Sequence, residues 1–322
     1  MRVAREHFKS VKELPRDEFV APGSPLCAGC GGLETLRLVH KVLGDRVIVV
    51  NAAGCMTLMA TFPFTPLRSS WLFTTMGSAA AGAQGVRDAL DLLIAKGRLP
   101  ADENLQVVVL AGDGSTFDMG LTGISAAIHR RLDFWYLCYD NEAYGNTGFQ
   151  LSASSPLGST TATTVQVGSQ SKKDIFEIWR AQRPPYIGTL SAHDPVDLAE
   201  KVARAAAMKG PKMLLSLAVC PTGWGFDPAL GDDLAKLAIE TGVWPLKEAV
   251  DGVVRHTYIP SKRRPVVDYL QPQRRFRHLF QPTRQDALLA AIQQQVDDYW
   301  TSGPSGPPTC SPASFIHAPS SS

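Results

Sequence analysis

Leu105-Gln106-Val107-Val108-Val109-Leu110-Ala111-Gly112-Asp113-Gly114-Ser115 is the stretch on which the fold turns. A short β-branched run that stops at Gly-Asp-Gly reads as a strand buried on both faces and ending in a turn. Residues 121–129 then have helical character, and Phe134-Trp135-Tyr136-Leu137-Cys138-Tyr139 reads as the next strand, ending at Asp140-Asn141-Glu142. Strand, helix, strand in this order implies a right-handed parallel crossover and an α/β sheet. Such sheets bind ligands beyond their strand carboxyl ends, which is where both polar motifs fall.

The same alternation extends in both directions. Upstream, Arg46-Val47-Ile48-Val49-Val50-Asn51 reads as a buried strand that runs into Ala52-Ala53-Gly54-Cys55. Cys27-Ala28-Gly29-Cys30-Gly31-Gly32 opens a helix with apolar positions 33, 36, 38 and 39. The small residues of 77–86 predict a closely packed helix. Downstream, 151–173 is a long Ser/Thr/Gly-rich loop of the kind that is often functional. Helices at 175–181 and 196–208 then alternate with strands at 186–190 and 213–219, the last ending at Cys220-Pro221. The resulting plan is a polar arm over 1–25, a ligand-binding domain over 26–230, a C-terminal extension over 231–300 and a disordered Ser/Pro/Gly-rich tail over 301–322. The extension reads as a short helix, an irregular basic stretch and an amphipathic helix at about 284–299.

Hydrophobic residues at 44% and charged residues at 19% give a globular chain with a sizeable core. A net charge of +2 gives no reason to expect a nucleic-acid partner. The basic runs 262–264 and 274–277 read as solvated surface or subunit contact. No run approaches the roughly 20 apolar residues that span a bilayer, so no membrane is expected. Residues 1–7 lack the apolar core of a secretory signal. A cytoplasmic location follows as the expectation, and there thiols stay reduced. Six cysteines in such a setting read as ligands or buried residues, not disulfides.

Asn141 follows Asp113 by 28 residues, and each sits at a strand end. A protein-bound diphosphate needs a divalent cation to neutralise it. Magnesium takes an octahedron of hard oxygens, typically one or two side chains with waters and phosphate oxygens. One carboxylate and one amide on neighbouring strand ends supply that, and flanking glycines let backbone N–H groups approach the phosphates. Taken singly, Gly-Asp-Gly is an ordinary turn and Asp-Asn a helix cap; their pairing behind two buried strands is what points to a metal-held cofactor.

Cys27 and Cys30 form a Cys-x-x-Cys pair, Cys55 follows a strand and Cys220 precedes a proline. Four thiolates suit zinc or an iron–sulfur cluster. Structural zinc commonly uses two close pairs, whereas here one pair is joined by two distant single cysteines at strand ends beside the presumed cofactor, which favours a cubane. The plainer alternatives are ordinary buried cysteines at 55 and 220 and a redox pair at 27 and 30. Cys138 reads as core, and Cys310 as a free thiol of the tail.

Gly-Asp-Gly followed at this interval by Asn resembles the signature of thiamine-diphosphate enzymes. With the cysteines, the chain resembles the β subunit of the pyruvate:ferredoxin oxidoreductases, within the wider 2-oxoacid:ferredoxin oxidoreductase family. The resemblance runs from about Cys27 to about Leu279. It is carried by Cys27-Ala28-Gly29-Cys30-Gly31, Gly54-Cys55, Gly112-Asp113-Gly114-Ser115 and the specific block Asn141-Glu142-Ala143-Tyr144-Gly145-Asn146-Thr147-Gly148-Phe149-Gln150. Ser155-Pro156, Cys220-Pro221-Thr222-Gly223-Trp224 and Arg275-Phe276-Arg277-His278-Leu279 extend it.

The resemblance implies a thiamine-diphosphate-binding parallel sheet with helices on both faces. It implies Mg2+ on Asp113, Asn141 and the Ala143 carbonyl, and a [4Fe-4S] cluster on Cys27, Cys30, Cys55 and Cys220. Gly54, Cys55, Gly77, Gly112, Gly114, Ser115, Tyr144 and Thr147 are expected around the cofactor, and Asn146 as the active-site amide. The implied reaction decarboxylates a 2-oxoacid, passes electrons singly through the cluster to ferredoxin and transfers the acyl group to coenzyme A. The carboxylate that activates thiamine finds no candidate in this chain, and the resemblance assigns it, with a substrate-binding arginine, to partner subunits of the α, γ or δ type.

The segments Gly54-Cys55-Met56 and Thr74-Thr75-Met76-Gly77-Ser78 depart from many relatives. Pyruvate is the expected substrate, with oxalate, 2-oxoisovalerate or an aryl 2-oxoacid as alternatives. Two other readings compete: a non-oxidative thiamine decarboxylase or synthase subunit, which needs no cluster, and a zinc-bound scaffold without catalysis.

Overall fold

The computed structural model describes residues 2, 5–61, 63–100, 102–103, 105–168 and 172–303. Eight strands appear in it: β1 (Val47–Ala52), β2 (Ser70–Thr74), β3 (Gln106–Gly112), β4 (Trp135–Asp140), β5 (Tyr186–Ser191), β6 (Lys212–Leu217), β7 (Lys247–Val250) and β8 (Val253–His256). They form one sheet in the order β2-β1-β3-β4-β6-β5-β7-β8. The first six are parallel, and β7 and β8 close one edge as antiparallel strands. Gly-Asp-Gly and Asp-Asn therefore do sit at the carboxyl ends of neighbouring parallel strands, with β3 paired to β4 from Val108–Trp135 to Gly112–Tyr139.

The central strands are buried on both faces, so alternate residues feed two cores. Val107, Val109 and Ala111 enter one core, and Val108 and Leu110 the other. On one face lie α1 (Gly31–Leu43) and α5 (Pro195–Ala206), through Leu36, Val39, Leu198 and Val202. The opposite face is covered by α2 (Ala79–Ala95), α3 (Leu121–His129), α4 (Ile175–Ala181), α7 (Gly231–Glu240), α8 (Val267–Leu270) and α9 (Asp286–Ser302), with the short α6 (Pro221–Trp224) at the strand ends. Among the described residues no helix is long and apolar enough to cross a membrane.

Three features differ from the sequence reading. Edge strand β2 was not expected, because its five residues pair on one side with β1 and are largely exposed. The stretch expected to be irregular and basic holds the β7–β8 hairpin, so the extension continues the same sheet. Thr301 and Ser302, expected in the tail, belong to α9; residues 304–322, including Cys310, lie outside the described residues.

The N-terminal arm is held on α5 by buried carboxylates. Glu200 accepts the backbone N–H groups of Glu6, His7 and Phe8 at 2.8–3.0 Å, and pairs with Arg204 at 3.0 Å. Asp194 pairs with Arg2 and Arg5. Burial alone would raise the Glu200 pKa, but the three N–H groups and His7 hold it near 2, below the ordinary 4.5. A depressed acid adds stability that is complete above its unfolded value and is lost as pH falls through its folded value. Glu200→Gln should therefore destabilise the chain by about 2 kcal/mol at pH 7. It should also flatten the loss of stability between about pH 4.5 and 2. Urea unfolding at a series of pH values measures both, and parallel curves for the two proteins would contradict it.

Candidate active site

The strand order places a switch between β1 and β3, where an open α/β sheet forms its ligand crevice. A cleft of about 100 Å3 opens there. Ala53, Gly54 and Cys55 line it from β1, Gly112, Asp113 and Gly114 from β3, and Tyr139, Asn141 and Ala143–Thr147 from β4, with Met76 beside them. Ten of the expected cofactor positions thus share one cleft. The other two lie behind it: Gly77 packs on the Met119 carbonyl, and the Ser115 hydroxyl donates to the Met76 carbonyl. After β3 the backbone makes one π-helical turn, Gly114–Met119, a distortion frequent at functional sites.

Three oxygens converge at the cleft floor. The Asn141 amide oxygen lies 2.7 Å from the Ala143 carbonyl oxygen and 2.8 Å from Asp113 Oδ1. Oxygens this close with no proton between them repel. Reversing the amide would turn both contacts into hydrogen bonds, and a cation among them would serve as well. Adjacent corners of a magnesium octahedron stand about 2.9 Å apart, given metal–oxygen distances near 2.1 Å. Asp113 is fully buried, and its other oxygen accepts from Ser152 Oγ. Burial and then Asp140 raise its pKa well above the usual range, more than Ser152 and Lys172 offset. A buried carboxylate in that state gains most from a neighbouring divalent charge. The residues present fit a magnesium ion.

Close packing fixes this geometry. A Cβ on Gly114 would fall 2.3 Å from the Tyr144 ring, and one on Gly54 2.7 Å from Tyr139 Oη. These glycines thus accommodate aromatic rings of the neighbouring strand and its loop, a role the sequence did not reveal. Gly145 meets Asn141 Nδ2 at 2.5 Å in the same sense. The 144–150 loop braces itself: Tyr144 N donates to the Gln150 carbonyl and Phe149 N to the Tyr144 carbonyl, both at 2.9 Å. Asn146 stands exposed at the rim.

A charge cluster behind the cleft holds β4's end. Lys172 pairs with Asp140 at 2.7 Å and Glu142 at 3.0 Å, and Arg275 pairs with Glu142 at 2.7 Å. Burial would raise Glu142, but Lys172 and Arg275 hold it below the usual carboxylate value. Ser154 donates to Asp140 at 2.6 Å, and Trp224 Nε1 to the Asn141 carbonyl at 2.9 Å. Sequence reasoning missed Ser152, Ser154 and Lys172, which lie in the loop without a readable period.

The four cysteines approach one another from three places. The Cys27–Cys30 turn docks on β6's end, where Gly31 N donates to the Val219 carbonyl at 3.1 Å. A Cβ on Gly29, whose φ is +70°, would fall 2.8 Å from the Pro228 carbonyl oxygen. Cys220 caps α6, accepting from Gly223 N at 3.3 Å. Cys55 opens a 3-10 turn, Cys55–Ala60, after β1. Burial first, then Cys220, Cys30 and Cys27, push the Cys55 thiol up to about 12. Burial and the neighbouring Cys30 and Cys27 likewise carry Cys220 up to about 11, against the pull of Gly223 N–H. Cys55 and Cys220 both feel Cys27 and Cys30, so the four share one locality that a cationic centre would relieve. No three of these sulfurs lie within 4.8 Å of one another. Tetrahedral zinc at 2.3 Å from each sulfur would bring them to about 3.8 Å. Cys138 is buried mid-strand, as expected.

Comparison with known proteins agrees with this geometry. A family model described as thiamine pyrophosphate enzyme, C-terminal TPP binding domain, matches residues 52–215. Pyruvate synthase subunit PorB of Methanocaldococcus jannaschii is 40% identical, over 89% of this chain and 97% of its own. PorB of Methanothermobacter thermautotrophicus is 44% identical, over 88% and 97%. Ketoisovalerate oxidoreductase subunit VorB of Pyrococcus horikoshii is 33% identical, over 92% and 95%. Among solved structures, a 2-oxoglutarate:ferredoxin oxidoreductase from Magnetococcus marinus shares the fold, with a TM-score of 0.55 and 22% identity over 69% of this chain and 80% of that one. The chain therefore belongs to the thiamine pyrophosphate enzymes, as a PorB-type subunit of the 2-oxoacid:ferredoxin oxidoreductase family.

Proposed function

We propose that this chain holds thiamine diphosphate through one magnesium ion and carries a [4Fe-4S] cluster beside it. With partner subunits it converts pyruvate and coenzyme A to acetyl-CoA and carbon dioxide while two ferredoxins are each reduced by one electron and one proton is released. A reducing compartment such as the cytoplasm suits exposed thiol ligands. The observation that carries this reading is Cys55, which lines the cofactor cleft and also senses Cys27, Cys30 and Cys220. One residue thus belongs to both centres, which gives electrons a short path out.

When bound, thiamine supplies the electron sink for decarboxylation and the cluster accepts electrons one at a time. The chain's residues do the rest. Asp113 Oδ1, the Asn141 amide oxygen and the Ala143 carbonyl would hold the magnesium. Asn146, exposed at the rim, can donate to an oxyanion developing on the substrate. Burial raises the Cys30 and Cys220 thiols, and the N–H groups directed at them offset part of that rise and would tune a bound cluster.

The cleft also says what partners must bring. Asp113 is its one lining carboxylate and is committed to the metal and Ser152. A volume of about 100 Å3 is well below what encloses a cofactor, typically about 300 Å3 or more. The activating carboxylate and the remaining wall are then contributed by another subunit. Leu58, Phe73 and Met119, exposed on segments next to the cleft, suit such a contact. Pyruvate is favoured by the PorB relatives, which are 34–44% identical. The VorB relative at 33% supports a branched 2-oxoacid as the second reading.

The complex purified without oxygen should show broad visible absorption from this chain's cluster, with about four irons and four sulfides bound to it. Cys55→Ser should remove or convert that cluster while thiamine diphosphate still binds; one zinc and no visible absorption would sink the cluster. Asp113→Asn should weaken magnesium-dependent thiamine diphosphate binding roughly tenfold or more. It should leave the unliganded chain at least as stable, since a buried charge is removed; calorimetric titration and thermal melting decide. In coenzyme-A-dependent dye reduction, the assembled complex should prefer pyruvate over 2-oxoisovalerate, and the isolated chain should turn over neither. Activity of the isolated chain would overturn the partner requirement.

A further inference from the structure

A second cavity, of about 310 Å3, lies between α9, the β5–β7 side of the sheet and the start of α4. Its volume is at the lower end of small-molecule sites. It shares no lining residue with the cofactor cleft. Its walls are mainly apolar, with Phe176, Leu215, Trp244, Leu270, Ile292 and Val296 among them. A cavity of that character needs polar groups only where a ligand is to be oriented, so those present are informative.

Four such groups, each more than nine-tenths buried, line it: Glu142, Thr189, Lys247 and Tyr269. Glu142 is paired with Lys172 and Arg275, and Thr189 donates to the Pro245 carbonyl at 2.7 Å, which leaves Lys247 and Tyr269. Tyr269 Oη has no hydrogen-bond partner. The Lys247 ammonium lies 4.3 Å from the Phe176 ring centre and 5.0 Å from that of Tyr299, and among the described residues it has no ion-pair partner within 4.0 Å. The other lining lysines are answered, Lys172 by Asp140 and Glu142 and Lys173 by Asp118. Asp174 and Glu177 of α4 act on Lys247 only from a distance. Asp174 caps the helix through Glu177 N, and Glu177 pairs with Arg180 at 2.6 Å. A buried ammonium between aromatic rings, without a counter-charge in contact, is costly unless an anion joins it.

We infer that this cavity is a second ligand site that takes a small apolar monocarboxylic acid, its carboxylate on Lys247 and its aromatic or branched body against α9. A phosphate or dicarboxylate fits less well, because one lysine is free and the walls are apolar. The cavity reaches the catalytic residues through Glu142, a lining residue that stands between Asn141 and Ala143. An occupant is therefore in a position to bias the loop that holds the magnesium oxygens.

The test is calorimetric titration of the assembled complex, saturated with thiamine diphosphate, with 3-phenylpropanoate and 4-methylpentanoate. Both lack a keto group, so neither is turned over. Saturable binding is expected, at least tenfold weaker for the corresponding amides and for Lys247→Met, and absent in Val296→Trp, which fills the cavity. Lys247→Met keeps the aliphatic stem and should melt no lower than the parent, so it carries the test if Val296→Trp does not fold. No saturable binding, or binding that Lys247→Met leaves unchanged, overturns the proposal. Thiamine diphosphate and iron contents, measured on the same samples, report separately on the catalytic reading.

Discussion

Everything at the cofactor cleft depends on two carboxylates held next to each other where β4 ends. Asp140 and Glu142 are both buried, and two acids in such a position repel unless cations intervene. Lys172 bridges them from the long loop, and Arg275 reaches Glu142 from the C-terminal extension. Removing one partner of a buried ion pair costs about 3–5 kcal/mol, because the other is left uncompensated. The cluster thereby ties two distant segments to the residue between the acids, Asn141. The guanidinium of Arg275 lies 3.9 Å from the Trp224 ring centre, and Trp224 in turn donates to the Asn141 carbonyl. Asn141 is thereby fixed from behind by charge and stacking.

The same packing couples the cofactor loop to the cysteines. The ring of Phe149 occupies the space that a side chain on Gly223 would need, with a Cβ there only 1.8 Å from it. Gly223 N also donates to Cys220. The loop carrying Asn146 and the turn carrying Cys220 therefore cannot move independently. Two sequence blocks more than 70 residues apart thus make one mechanical unit.

Much of this was legible because strands buried on both faces announce themselves as unbroken apolar runs, and because the residues that leave them are few and polar. β1, β3, β4, β5 and β6 lie close to where their sequences put them, and so do Cys55, Asp113, Asn141 and Cys220 at or just beyond strand ends. β7 was hidden for a physical reason. Its Lys247-Glu248 pair looks like surface, but Glu248 is fully buried, bound by Arg204 at 2.6 Å, Arg255 at 2.8 Å and Tyr186 at 2.7 Å. Charges satisfied by remote partners cannot be told from solvated charges along the chain. β2 was hidden because an edge strand has only one neighbour to select its side chains. Lys172, Ser152 and Ser154 were invisible for the reason β7 was.

The glycines at the cleft have a structural cause that the sequence reading left out. Gly112-Asp113-Gly114 was expected to be open so that phosphate could approach, yet Gly114 faces the Tyr144 ring, and a Cβ on Gly112 would fall 3.2 Å from the Tyr139 ring. Tyr144 Oη in turn donates to Asp118 at 3.1 Å, on the π-helical turn that follows β3. The aromatic rings thus clamp the turn from the β4 side and aim its backbone at the crevice. An exposed backbone amide is useful to an anion only if it is rigid, and here the rigidity comes from the packing of these two rings. Substituting either glycine would then disturb Tyr139 or Tyr144 before it blocked a phosphate. The cofactor motif is in this sense a packing motif first, whose chemistry follows from the shape that the packing imposes.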